Sequence, residues 1–166
     1  VSAVDCLRVD DRLIHGQVMV GWVLPLNIRR IILINDRIAG DLWQQDTLKM
    51  VVASFSNEVG LDILELGKAA EFIRENQCRE GRIIILESVA DAEVLYDNGL
   101  TLPSLNLGCI HAQAGREKVL SFLYLDSGEI EAILRLSQKG IRVIARDLPG
   151  SRAVDVVKQI KNKRRQ

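Results

Sequence analysis

Short apolar runs alternate along the chain with longer stretches in which apolar residues recur every three or four positions. The first pattern suits strands buried in a sheet; the second suits helices that lay one face on it. On that basis "VDCLRV" (Val4–Val9) predicts a strand, and "GQVMVGWVL" (Gly16–Leu24) a helix stopped by Pro25. Ile31–Asn35 predicts a second strand, and Asp41–Ala53 a helix with Leu42, Leu48, Val51 and Val52 roughly on one side. Strand Leu61–Leu66 and helix Lys68–Glu75 follow. Arg82–Glu87 is the most uniformly apolar strand and asks for burial on both faces, as at the centre of a parallel sheet. Helix Ala90–Asn98 closes at Gly99. Ser104–Ile110 and Lys118–Leu125 predict strands, Glu129–Lys139 a helix capped by Gly140, and Ile141–Arg146 a further strand. After a Pro149-Gly150 turn, Ser151 is placed to cap a last helix reaching about Lys161.

Strands that alternate with helices predict an α/β fold: an open, doubly wound, mostly parallel sheet of about seven strands, with helices on both faces. One link breaks the alternation. Only "HAQAGRE" separates Ile110 from Lys118, and seven residues are too few for a parallel crossover. At least one antiparallel strand is therefore expected, near a sheet edge. The 166 residues suit a single domain spanning 1–166.

Composition narrows the function classes. Lys+Arg and Asp+Glu are both 22, so nothing favours nucleic acid or an anionic membrane as partner. The basic "KNKRRQ" end reads as a solvated helix terminus. Cys6, Cys78 and Cys109 form no CxxC pair and no metal-ligand spacing, which suits reduced thiols and leads to no expected metal or other cofactor. Cys6 reads as a small buried hydrophobe. With no apolar run near 18 residues and no signal-peptide pattern, a soluble cytoplasmic protein is expected.

In open α/β sheets, ligands bind beyond the carboxyl ends of the strands. The segments there are Asp10–His15, Asp36–Ala39, Gly67, Glu87–Ser88, His111–Arg116 and Arg146–Pro149. Both histidines of the chain, His15 and His111, fall among them. His15 immediately precedes Gly16, where a helix begins and unpaired N–H groups attract anions. Gly16 lets an anion approach the backbone. Arg12 and Arg8 add guanidinium groups suited to phosphate oxygens. A histidine in this setting can accept a phosphoryl group on a ring nitrogen. A plainer reading makes it a loop histidine bonded to a neighbouring carbonyl. No Walker loop, GxGxxG, GxSxG or HExxH is present, so nucleotide-dependent kinase, simple dehydrogenase and zinc hydrolase readings lack support.

"RVDDRLIHGQV" (Arg8–Val18) closely resembles the active-site signature of the IIB subunits of the mannose/fructose/sorbose family of bacterial sugar phosphotransferase systems. "IILINDRIAGD" (Ile31–Asp41), "LNLGCIHAQAGR" (Leu105–Arg116) and "VIARDLPG" (Val143–Gly150) resemble later segments of the same family. The resemblance implies that His15 is the site of a transient Nδ1 phosphohistidine and that Arg12 contacts the phosphoryl group. It implies a IIA protein or domain as donor and a sugar, brought in by membrane IIC and IID subunits, as acceptor. It also implies a cytoplasmic location beside that membrane complex. Asp10 and Asp11 fit the family loop and fix the arginines and the loop shape; Asp36 either braces that loop or caps the next helix. His111 is a rival phosphoacceptor or a residue that shapes the pocket. The chain departs from the family pattern at Glu87, Val89, Cys109 and Arg146, which leaves room for a degenerate regulatory IIB paralogue. Arg146 is a candidate extra phosphate contact. Arg12, Arg116 and Arg146 are candidates for the IIA docking surface, and a homodimer is compatible with the pattern. Trp22 and Trp43 read as packing residues. A receiver module phosphorylated on aspartate, or a ligand-binding domain with no covalent intermediate, remain the alternatives from other classes.

Overall fold

A computed structural model describes residues 5–76 and 81–164. Val4, Cys78 and the last two residues of the basic end lie outside the described residues. Seven strands form one sheet: β1 (Asp5–Val9), β2 (Arg30–Ile34), β3 (Gly60–Leu64), β4 (Arg82–Leu86), β5 (Ser104–Leu107), β8 (Arg142–Ala145) and β9 (Val154–Asp155), in the order β3-β2-β4-β1-β5-β8-β9. Every neighbouring pair is parallel except β8 with β9. The remaining two strands, β6 (Glu117–Leu120) and β7 (Leu123–Leu125), make a separate antiparallel hairpin.

Alternation along the central strands assigns each helix to a face. Ile31, Leu33, Ile83 and Ile85 bury against Val18, Met19, Trp22, Val23 and Val52. Those side chains come from α1 (Gly16–Val18), the π-helical turn Met19–Val23 that continues it, and α3 (Leu42–Phe55). Ile32, Ile34, Ile84 and Leu86 bury on the opposite face. That face is covered by α4 (Leu66–Glu75), α5 (Val89–Asp97), α6 (Ser127–Gln138) and α7 (Val156–Lys163), whose buried residues belong to the same core. All five residues of β4 are buried: Ile83–Leu86 form the unbroken apolar run, and Arg82 at the strand's start donates to the Ile73 and Asn76 carbonyls. A short α2 (Asp36–Ala39), capped by the Asn35 side chain, precedes α3.

Three expectations need correction. The segment Lys118–Leu125 is not one strand of the main sheet. It folds back at Ser121-Phe122 into the β6–β7 hairpin, which meets the chain after β5 through an isolated bridge between Ile110 and Leu123. The antiparallel edge strand is instead β9. Second, Ser151 caps nothing; the last helix starts five residues later, with the Asp155 carboxylate accepting from the Lys158 N–H. Third, most of the helix predicted over Gly16–Leu24 is π-helical.

The chain runs from β1 to β2 on one side of the sheet and from β5 to β8 on the other. Its winding therefore reverses between β1 and β5, and sheets of this kind bind ligands in the crevice beyond the carboxyl ends of the strands at that point. The loops that line it begin at Asp10 and Gly108.

Candidate functional site

The loop after β1 is built on Asp10. Its N–H continues the ladder to the Leu86 carbonyl at 2.9 Å, and its side chain is completely buried. One carboxylate oxygen accepts from Arg8 Nη2 at 2.9 Å. The other lies 3.3 Å from His15 Nε2 and 3.3 Å from the Arg12 N–H, with Arg12 Nε at 3.9 Å. Burial works against ionisation of Asp10, but the His15 hydrogen bond and the Arg8 charge outweigh it and hold the carboxyl below its ordinary range. Leu13 closes the turn at φ 56°, a left-handed conformation uncommon for a leucine, while its side chain packs in the core. Its N–H bonds the Asp10 carbonyl at 2.9 Å.

These contacts orient His15. An Nε2–H donated to Asp10 leaves Nδ1 unprotonated, and no hydrogen bond to Nδ1 forms among the described residues. The His15 side chain is 17% exposed, enough for a reactant to reach one ring edge. His15 is also the residue before α1, so the first-turn N–H groups after it are open to a ligand. Arg12 is 42% exposed and leans on Gln17 Oε1 at 3.1 Å. The arrangement offers a nucleophilic nitrogen, a carboxylate behind it to balance imidazolium charge, and a cation with free N–H groups beside it.

Arg8 is not part of the exposed cluster. It is 2% exposed, its guanidinium lies 4.6 Å from the centre of the Trp22 ring, and Nη1 donates to the Arg146 carbonyl at 3.0 Å. The expected phosphate contact from Arg8 is thereby corrected: burial puts its charge under Asp10. Gly108 makes room for it, since a Cβ there would stand 2.2 Å from Arg8 Nη2. Sequence reasoning missed this packing; the only signal was a glycine right after a buried strand.

The acidic pair divides between the two histidines. Asp11 Oδ1 meets His111 Nδ1 at 2.7 Å, and Oδ2 accepts the His111 N–H at 2.7 Å. His111 Nε2 faces Cys109 Sγ at 3.5 Å. Arg116 is not a free surface cation: it pairs with Glu129 through two contacts at 2.7 and 3.1 Å and bonds the His111 carbonyl at 3.2 Å. Arg146 turns its Nη1 to the Pro149 carbonyl at 2.9 Å. Asp36 accepts from the Leu66 N–H at 2.7 Å, beside a cavity lined also by Asn35, Arg37, Glu87 and Asp91. No contact joins Asp36 to the His15 loop among the described residues. Trp22 packs as expected, but Trp43 is 77% exposed on α3.

A family model described as "PTS system sorbose subfamily IIB component" matches residues 4–166. The chain belongs to this family. It is thus a phosphocarrier subunit of a sugar phosphotransferase system, and a phosphotransferase. The IIB chain is 29% identical over 151 residues to the N-acetylgalactosamine-specific phosphotransferase enzyme IIB component 2 of Escherichia coli K12, covering 91% of this chain and 94% of that one. It is 28% identical to the mannose-specific EIIAB component of the same strain, over 92% of this chain but only 48% of that longer protein. The IIB domain of the sorbose permease from Klebsiella pneumoniae has the same fold, with a TM-score of 0.84 at 24% identity over 96% of this chain and 97% of that one. Around the IIB chain's crevice, Cys109 stands beside His111, and Glu87 binds the Asn35 amide at 2.7 Å on the neighbouring stretch of the rim.

Proposed function

We propose that this IIB chain carries its phosphoryl group on His15 Nδ1. The observation that carries the reading is the Asp10 contact at Nε2, which leaves Nδ1 as the one unpartnered ring nitrogen of His15. Nδ1 attacks the phosphorus of a phosphohistidine on a IIA donor; the donor P–N bond breaks as the new one forms, and Nε2 keeps its proton. Asp10 balances the positive charge that the ring acquires, while Arg12 and the first-turn N–H groups of α1 hold the phosphoryl oxygens. In the second half-reaction a sugar hydroxyl oxygen attacks the phosphorus, the P–Nδ1 bond breaks with its electron pair returning to Nδ1, and the hydroxyl proton passes to solvent. Membrane IIC and IID subunits present the sugar. No described helix is long and apolar enough to cross a membrane, which supports a chain that works beside them in the cytoplasm.

The donor docks over the exposed side of α1. A shallow, largely apolar depression is lined there by Gln17, Val20, Gly21, Pro25, Leu148 and Pro149, next to Arg12. Asp10 is sealed from solvent and Asp11 is committed to His111, which counts against an aspartyl phosphate on either.

The test is incubation with a phosphorylated IIA donor, followed by mapping of the label. An acid-labile, base-stable label on His15 is expected, absent in His15→Ala. Arg12→Ala should slow transfer by about 10²–10³-fold while leaving the fold intact. Label that persists in His15→Ala sinks the assignment.

A further inference from the structure

One face of the sheet changes character across its width. In-register parallel pairing sets Ile31 beside Ile83 and Ile83 beside Cys6, all on the face that α1 and α3 cover. Past β1 the same row continues as Ser104 and Arg142. The next row passes from Leu33 and Ile85 to Arg8, Asn106 and Ile144. An apolar face thus turns polar over β5 and β8, and a cavity of about 280 Å³ lies there. We propose that this cavity binds a hexose phosphate, apart from the His15 crevice.

Its position separates it from the reactive loop. It reaches Cys6, Ser104 and Arg142, near the amino-terminal starts of β1, β5 and β8, whereas His15 follows the carboxyl end of β1. Its size is close to the lower end of the range for small-molecule sites, roughly 300–1,000 Å³.

Three features select the ligand. The first is charge. No acidic residue lines the cavity, and neither Arg142 nor Arg146 forms an ion pair among the described residues. Arg146 Nη1 donates to the Pro149 carbonyl at 2.9 Å, and Arg142 is exposed on the rim. Guanidinium groups without carboxylate partners suit phosphate oxygens. The second is a pair of buried polar atoms. Asn106 is 4% exposed, and its Nδ2 lies 3.4 Å from the Arg146 carbonyl. Its Oδ1 has no donor, and Arg146 Nε has no acceptor, among the described residues. Buried atoms of this kind regularly have partners. A hydroxyl group answers both needs, since it donates to a carboxamide oxygen and accepts from a guanidinium N–H. The third is an apolar wall of Trp22, Leu26, Ile144 and Pro149, which suits the carbon face of a sugar ring and is of no use to a bare anion. The Trp22 ring is fixed there by its Nε1–H, donated to the Asp147 carbonyl at 2.8 Å.

An anionic group, hydroxyls and an apolar ring face together describe a phosphorylated sugar, the class of product that a sugar phosphotransferase system makes. The Arg146 carbonyl also accepts from Arg8, which backs Asp10 and through it His15, so the cavity shares a wall with the support of the reactive loop.

The test needs no phosphoryl donor, so its outcome is independent of which residue the chain phosphorylates. Trp43, 77% exposed on α3, is replaced by Phe, which leaves Trp22 as the sole tryptophan. Trp22 fluorescence is then followed while a panel of hexose 6-phosphates is added at constant ionic strength. At least one member should give a saturable change and bind at least about tenfold more tightly than the free hexose or inorganic phosphate. Arg142→Gln, at an exposed position, should weaken it by about tenfold or more and remove the preference for hexose phosphate over free hexose. Asn106→Leu, which keeps the volume but removes the carboxamide, should weaken it by about tenfold; its urea midpoint shows whether the fold is kept, and Arg142→Gln decides if it is not. No saturation by any hexose phosphate, inorganic phosphate binding as tightly, or binding unchanged by Arg142→Gln overturns the proposal.

Discussion

The chemistry of the site rests on one buried carboxylate. Asp10 joins Arg8 beneath it to His15 above it, so its charge serves the core and the ring together. Asp10→Asn leaves Arg8 buried without its counter-charge, which should cost about 3–5 kcal/mol of stability at neutral pH. The pH dependence follows from the depressed pKa. Folded Asp10 binds fewer protons than unfolded Asp10 between its folded pKa and the ordinary value of 3.8. Its contribution is therefore complete above pH 3.8 and is lost as pH falls toward the folded pKa. Urea midpoints of wild type and Asp10→Asn, measured from pH 6 downward, should draw closer in acid; a constant gap would contradict this account. Gly108 tests the same cluster from below. Gly108→Ala forces a methyl group into Arg8 and should cost about 1–3 kcal/mol. In an Arg8→Ala background the added cost should nearly vanish, which a double-mutant cycle reads directly. The meeting of His15 and Arg12 around Asp10 was within reach of a motif of a few consecutive residues. The burial of Arg8 was not, because it depends on Gly108 and on the Arg146 carbonyl, both far along the chain.

At the scale of elements, the parallel strands and the longer helices were legible because each has a local cause. Uninterrupted apolar runs mark β2 and β4, and Gly140, at φ 85°, marks the stop of α6. The misread elements lack such a cause. No glycine or proline announces the turn at Ser121-Phe122, and its two short strands read as one. The π-helical turn shows the same apolar spacing as an α-helix of its length. At the last helix, two residues of capping type compete, and the choice goes to the one followed at once by buried Val156 and Ile160. Asp155→Ala should therefore cost about 1 kcal/mol in chemical denaturation, and Ser151→Ala almost nothing. Equal effects would mean that Asp155 does not hold the α7 terminus.

Over the whole molecule, stability is concentrated where helices cover both faces of the sheet. Ile84→Ala, in the middle of β4, should cost about 2–5 kcal/mol. Met50→Ala, on the 74%-exposed outer side of α3, should stay within about 0.5 kcal/mol in the same denaturation series. The central position of β1 has one more consequence, for the order of events as the chain is made. Among the described strands β1 emerges before both of its sheet neighbours, β4 and β5: Asp5 pairs with Arg82, and Leu7 with Leu105. The reactive loop must wait for them, and for the Arg146 carbonyl that steadies Arg8. His15 therefore leaves the ribosome ahead of the strands that fix it, and cannot be held in place until most of the sheet has been delivered.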